Sequence, residues 1–183
     1  MTLGDTFRQW GSTAAERSLP LPCDGVLPDA NERYHRAVDV AGAPGVVFRW
    51  LCQLRVAPYS YDWIDNGGRR SPLRLTPGLE ELAVGQSFMR IFDLAHFETG
   101  RSVTLSLRRP GVFPPIAITY AALPAGSDRC RLLARLAVRY GAGVYQRAAR
   151  ALLPAGDFIM MRRQLLNLAR LAEGRSGRLR ARR

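Results

Sequence analysis

Few side chains in this sequence could act as acid, base or nucleophile. A nucleophilic triad needs a base, and histidine occurs only as His35 and His96. His35 falls on the polar phase of an alternating segment, which predicts a surface position. His96 lies in Asp93-Leu94-Ala95-His96-Phe97-Glu98, where Asp93 or Glu98 could orient it, but the stretch also reads as an exposed hairpin loop. No Gly-x-Ser-x-Gly is present, and Gly141-Ala142-Gly143 lacks the third glycine of a dinucleotide loop. Cys23, Cys52 and Cys130 are scattered without Cys-x-x-Cys spacing, so neither disulfides nor a metal is expected. No cofactor is implied. Arg36, Arg90 and Tyr120 stand apart, because each occupies the apolar phase of its segment. A buried guanidinium there needs an acid, or a carboxylate or phosphate on a ligand; at a strand end it would instead reach solvent. Tyr59, Tyr61 and Trp63, interleaved with Asp62 and Asp65, have two readings. They could line a pocket mouth, or the rings could anchor core while the acids cap turns or pair with Arg69 and Arg70.

The elements that would position these groups can be read from periodicity. Glu32–Val40 alternates as a strand, and Pro44 opens a helix running to about Leu54. Gln86–Asp93 predicts a strand with Phe88, Arg90 and Phe92 on one face. Ser102–Arg109, Pro114–Leu123 and Cys130–Tyr140 follow as strands. In the last, Leu132, Ala134 and Leu136 oppose Arg131, Arg135 and Arg139. Val144–Leu153 is a helical lead-in that Pro154 is expected to break or kink. Asp157 then caps a helix, Asp157–Glu173, whose stripe of Phe158, Met161, Leu165, Leu168, Ala169 and Ala172 must be buried. Strands grouped before a long terminal helix imply an α+β fold: an antiparallel sheet curled round that helix, leaving space for a ligand between them.

Composition narrows the function classes. An apolar share of 47% over 183 residues suits one globular domain. Met1–Trp10 has no apolar core of a signal peptide, no run reaches transmembrane length, and the three scattered cysteines fit a reducing cytoplasm, which is the expected compartment. The net charge is +12, and every basic residue is arginine. Five arginines fall in the last nine residues, Arg175–Arg183, which reads as a solvated, disordered tail or as a contact for phosphate or anionic lipid.

Several stretches resemble the START-like, Bet v 1-like (SRPBCC) superfamily in its uncharacterised bacterial members. They are Trp10-Gly11-Ser12-Thr13, Leu19-Pro20-Leu21-Pro22-Cys23-Asp24, Arg36-Ala37-Val38-Asp39-Val40 leading into Trp50-Leu51, Val84-Gly85-Gln86 and Met160–Leu166. The most specific is Tyr59-Ser60-Tyr61-Asp62-Trp63-Ile64-Asp65-Asn66. The resemblance spans Trp10–Glu173 and implies a helix-grip fold with an apolar cavity. It also implies that residues 1–31, which read as an irregular arm, pack on a ligand-binding domain of residues 32–174, followed by the tail 175–183. The expected activity is binding of a small, mostly apolar, lipid- or polyketide-like molecule, with Tyr61, Trp63, Arg90, Phe92, Tyr120, Leu136, Met161 and Leu165 as contacts. Two alternatives stay open. One is a cyclase or dehydratase of polyketide type, using Tyr61, Arg90, Tyr120 or His96 on an enolate. The other is a binder of nucleic acid or anionic membrane through the arginines.

Overall fold

Period-two alternation builds the sheet. In β1 (Glu32–Val40), Tyr34, Arg36, Val38 and Val40 point to one side and are buried there. The other strands are β2 (Ser87–Phe88), β3 (Phe92–Glu98), β4 (Ser102–Leu107), β5 (Ile116–Pro124) and β6 (Cys130–Val138). Their order is β1-β6-β5-β4-β3-β2, with every neighbouring pair antiparallel. This computed structural model describes residues 3–109, 111 and 113–174. Arg175–Arg183, the segment expected to be a solvated tail, lies outside the described residues.

Register sets what faces what. Tyr34, Leu136, Ile118, Leu105 and Leu94 form one cross-strand row, and Arg36, Ala134, Tyr120 and Val103 form the next. Ala134, directly opposite Arg36, leaves width for the guanidinium. Against this face lies α6 (Val144–Ala172), which gives the helix-grip architecture of an α+β fold. Two expectations about α6 are corrected. The helix begins at Val144 rather than at Asp157, and Pro154 sits inside it without ending it. A proline costs the helix one N–H bond and crowds the preceding turn, but tertiary packing overrides that here, since Pro154 is buried.

The opposite face of the sheet is covered by α2 (Ala14–Ser18) and α3 (Pro22–Val26) with their links, while α1 (Leu3–Gln9) runs along the edge strand β1 and reaches α6, where Phe7 meets Phe158 with ring centroids 5.5 Å apart. A capping box between Thr13 and Glu16 starts α2. Arg135, only 3% exposed, closes that helix from below. Its guanidinium donates to the carbonyls of Glu16, Arg17 and Leu19 and to the Asp24 carboxylate. The Cys23 amide donates to Thr119 Oγ1 at 2.9 Å. At Gly11 the chain adopts φ +71° and passes so close to β1 that a Cβ would stand 2.1 Å from the Ala37 carbonyl oxygen. His35, expected at the surface, is half-buried on this side, and burial plus the charges of Arg135, Arg17 and Arg36 push its pKa down to about 4.

The predicted strand Gln86–Asp93 is two strands around a tight turn. Met89 and Arg90 both take positive φ, +45° and +66°, and the Ile91 amide donates back to the Met89 carbonyl. Arg90 therefore leaves the strand phase and is exposed. His96 belongs to β3, not to a loop, and is also exposed.

A cavity between the sheet and the N-terminal half of α6

The first part of α6 stands off the sheet, and a cavity of about 530 Å³ fills the gap. Phe92, Leu107, Ile116, Ile118, Tyr120 and Leu136 form the sheet wall. Leu153, Gly156, Asp157, Met160, Met161 and Gln164 form the helix wall, three or four residues apart as one helical face requires. Pro58, Ser60, Ile64 and Asp65 close one side, and Met89, Ile91 and Phe113 another. Ile64, Ile91 and Phe113 are also exposed to solvent, which marks the mouth.

A single amide ties three of these walls together. Gln164 Oε1 accepts the Tyr120 hydroxyl at 2.7 Å, while Gln164 Nε2 donates to the Pro58 carbonyl at 2.6 Å. One turn on, Asn167 Nδ2 donates to the Tyr59 carbonyl at 2.9 Å. These bonds hold the Pro58–Tyr59 backbone where Tyr59 takes φ +56°, a region costly for a bulky residue. The conformation drives the Tyr59 ring into the core, edge-on to Trp50 with centroids 6.0 Å apart.

The charged feature of the wall is an ion pair between β1 and α6. Arg36 Nη2 lies 2.9 Å from Asp157 Oδ2; the arginine side chain is 0% exposed and the aspartate 11%. Arg36 Nη1 donates to the His35 carbonyl, and the guanidinium lies beside the rings of Tyr34 and Phe158 at 5.9 and 5.8 Å. Arg36 Nε has no hydrogen-bond partner among the described residues. Burial in apolar surroundings pushes the Asp157 carboxyl up to about 6, against the opposing pull of Arg36. Desolvation outweighs the pairing because only one of the guanidinium's forks reaches the carboxylate. A second carboxyl, Asp65, accepts from Ser60 Oγ, and burial raises its pKa as well.

Of the side chains expected from the sequence to contact a ligand, Phe92, Tyr120, Leu136 and Met161 come together on the cavity wall. The other four do not reach it. Tyr61 packs beneath the guanidinium of Arg163 at 5.8 Å, and Trp63 is 74% exposed. Arg90 is turned outward by its positive φ. Leu165 is wholly buried core, one position past the last helix residue of the wall. Of the acid–base groups considered for an enolate, only Tyr120 lines the cavity, and its hydroxyl is already engaged by Gln164. Asp157, Gln164 and Ser60 escaped the sequence reading as cavity residues, whereas Asp65, weighed there as a pocket-mouth acid, does line the wall. The usable signal was Arg36: a guanidinium in the apolar phase of a strand demands an acid, and Asp157 stands on the helix laid across it. Asp62, read as a turn cap or an arginine partner, accepts from the amide and hydroxyl of Ser71. Among the described residues no group of three His, Cys, Asp or Glu side chains is placed to hold a metal ion. No helix among them is long and apolar enough to cross a membrane.

No family model and no curated protein matches this sequence. Solved structures do match in shape. A hypothetical protein of Helicobacter pylori aligns over 88% of this chain and 99% of its own, with 12% identity and a TM-score of 0.54. A START superfamily protein of Mycobacterium smegmatis covers 80% of this chain and 98% of its own at 16% identity and a TM-score of 0.47. A truncated norcoclaurine synthase of Thalictrum flavum covers 76% and 92% at 12% identity and the same 0.47. At such identities the likeness is one of fold, and the first of these carries it: the helix-grip architecture expected from the sequence is the one observed.

Proposed function

We propose that this chain binds a small, mostly apolar molecule in the cavity between its sheet and α6, with Phe92, Tyr120, Leu136 and Met161 among the contacts. One observation carries the reading: about 530 Å³ of space walled mainly by Leu, Ile, Phe and Met side chains, inside a fold that otherwise packs closely. A void of that size lined by apolar groups forfeits contacts that a ligand restores, and it falls within the usual range of small-molecule sites, about 300–1,000 Å³. The three cysteines, all buried and unpaired, support a reducing, cytoplasmic compartment. The polyanion reading draws less support from the body of the chain, because Arg36, Arg108, Arg131, Arg135 and Arg150 are each paired with an acid. Enzymatic use of the same cavity is a second reading, and the one group that favours it is Asp157, an acid able to take or give a proton near neutral pH.

Two measurements test the proposal. Native mass spectrometry of the purified protein should find a co-purified apolar molecule. Met161→Trp places a large ring in the cavity, so it should abolish uptake of a fluorescent apolar probe while the urea midpoint moves little. Uptake that survives Met161→Trp, with the fold intact, would place probe binding elsewhere and defeat the reading.

A further inference from the structure

The side-chain donors of the cavity wall are spoken for. Tyr120 and both ends of the Gln164 amide are engaged with each other and with Pro58. Ser60 donates to Asp65, whose second oxygen has no hydrogen-bond partner among the described residues but is fully buried in the wall. The Arg36 guanidinium is sealed behind the surface at 0% exposure. Asp157 differs: it lines the cavity, keeps 11% of its side chain exposed, and spends one oxygen, Oδ2, on Arg36. A carboxylate has about four acceptor sites on two oxygens, so acceptor capacity is left over where a ligand would lie. The cavity therefore offers an acceptor and withholds its donors.

Charge then selects among the ligands able to use that acceptor. A ligand carboxylate would meet an accessible carboxylate with the compensating arginine out of reach. An ammonium group would find an acceptor, but Arg36 already balances Asp157, and the remaining wall acid, Asp65, is held toward its neutral form by burial, so the positive charge would sit poorly compensated among apolar walls, which is costly. A neutral O–H donor completes the carboxylate and leaves the charge balance untouched. Building on the binding function proposed above, we infer that the cavity's ligand is an apolar molecule carrying a neutral hydroxyl, an alcohol or a phenol, which it donates to Asp157. This reverses the polarity expected from the sequence, in which Arg90 was to meet a ligand anion; that side chain is exposed, outside the cavity.

A matched set of fluorescent bicyclic probes separates the possibilities: naphthol, its methyl ether, naphthoate and naphthylmethylamine, titrated at neutral pH. Naphthol should bind about tenfold more tightly than the methyl ether, the worth of one hydrogen bond to a charged acceptor, and naphthoate should bind weakest. Asp157→Ala should erase the gap between naphthol and its ether, and Asp157→Asn, which keeps a carbonyl acceptor, should retain part of it. The unmodified protein decides the matter even if a variant fails to fold. Equal affinity for naphthol and its ether, or preference for naphthoate or the amine, overturns the hydroxyl inference and leaves ligand binding standing. If none of the four binds, the binding reading falls and this inference falls with it.

Discussion

Between Leu153 and Gln164, α6 turns Leu153, Gly156, Asp157, Met160, Met161 and Gln164 toward open space. From Leu165 to Leu171, the same helix buries Leu165, Leu168, Ala169 and Leu171 in close packing. The sheet beneath is continuous, so the helix sequence and its neighbours make the difference. The first half presents a glycine, a carboxylate, an amide and two flexible thioethers, residues suited to an adaptable wall. The second presents leucines and an alanine, which interlock. A third element fills the second half: the turn into α4 (Pro44–Cys52) reaches the end of α6, where the Ala41 amide donates to Glu173 Oε1 at 3.0 Å. One helix thus serves as cavity wall and as core, with the boundary between adjacent residues, Gln164 and Leu165.

The sharpest way to break that division is truncation on either side of the boundary. Leu165→Ala should cost about 2–5 kcal/mol, because a wholly buried leucine leaves a cavity that close packing cannot fill. Probe uptake should survive wherever the protein stays folded. Met161→Ala removes a side chain that already borders empty volume, so it should cost less. Urea denaturation of both variants checks this, and equal costs would mean that the two halves are packed alike. Leu165, expected from the sequence to contact a ligand, is core instead, so Leu165→Trp should overfill it and lower stability.

A second contrast is electrostatic. The cavity half holds a buried carboxyl raised to about 6, and the titratable or charged groups facing it are Arg36 from β1, Tyr120 from β5 and, farther off, Tyr140. An acid whose folded pKa exceeds its unfolded value keeps its proton more readily when folded, so it favours the fold at low pH and loses that contribution as pH rises. The window runs from the ordinary carboxyl value of 3.8 to about 6. Across it, Asp157 should lower stability with rising pH by at most about 1.4 kcal/mol per pH unit. Unfolding curves of the native protein and of Asp157→Asn, taken through that window, should converge or cross in that sense. A native curve that instead gains stability with pH relative to Asn would mean that Arg36 outweighs burial.

The sheet was legible in the sequence because alternation is local. Glu32–Val40 reads as one strand and is one, and Cys130–Val138 shows its arginines on one side and its apolar set on the other. Gln86–Asp93 misled for a local reason too. Met89 and Arg90 take positive φ with no Gly or Asn to announce it, so an apparently continuous strand hides a turn, and Arg90 exchanges an inward phase for an outward one. The charged side chains of the cavity were hidden for a different reason. Pro154-Ala155-Gly156-Asp157 has the composition of a turn and a cap, and only the packing of β1 against α6 brings Asp157 to Arg36, 121 residues away in the chain. Gln164 lies outside the apolar stripe that the sequence predicts for this helix. Its role depends on the Tyr120 hydroxyl and the Pro58 carbonyl arriving from two other elements.

The smallest effect probes why the cavity half contains a glycine at all. Gly156 lies within α6 on the cavity wall, and a Cβ built there meets no atom within 4 Å. Glycine inside a helix costs about 0.5–1 kcal/mol relative to alanine through backbone entropy, so Gly156→Ala should raise the thermal midpoint by about 2–4 °C for a chain of this length. No steric penalty offsets that gain, since the methyl enters open space. If the glycine instead serves the ligand, giving it room one residue from the Asp157 carboxylate, the same methyl should weaken bulky hydroxylated probes while leaving slender ones unaffected. Calorimetry and probe titration on the one variant separate these effects. A midpoint that falls or stays still would mean that the turn around Pro154 and Gly156 departs from helical preference for a reason other than space, and that the adaptability of this half of the helix lies in its backbone rather than its side chains.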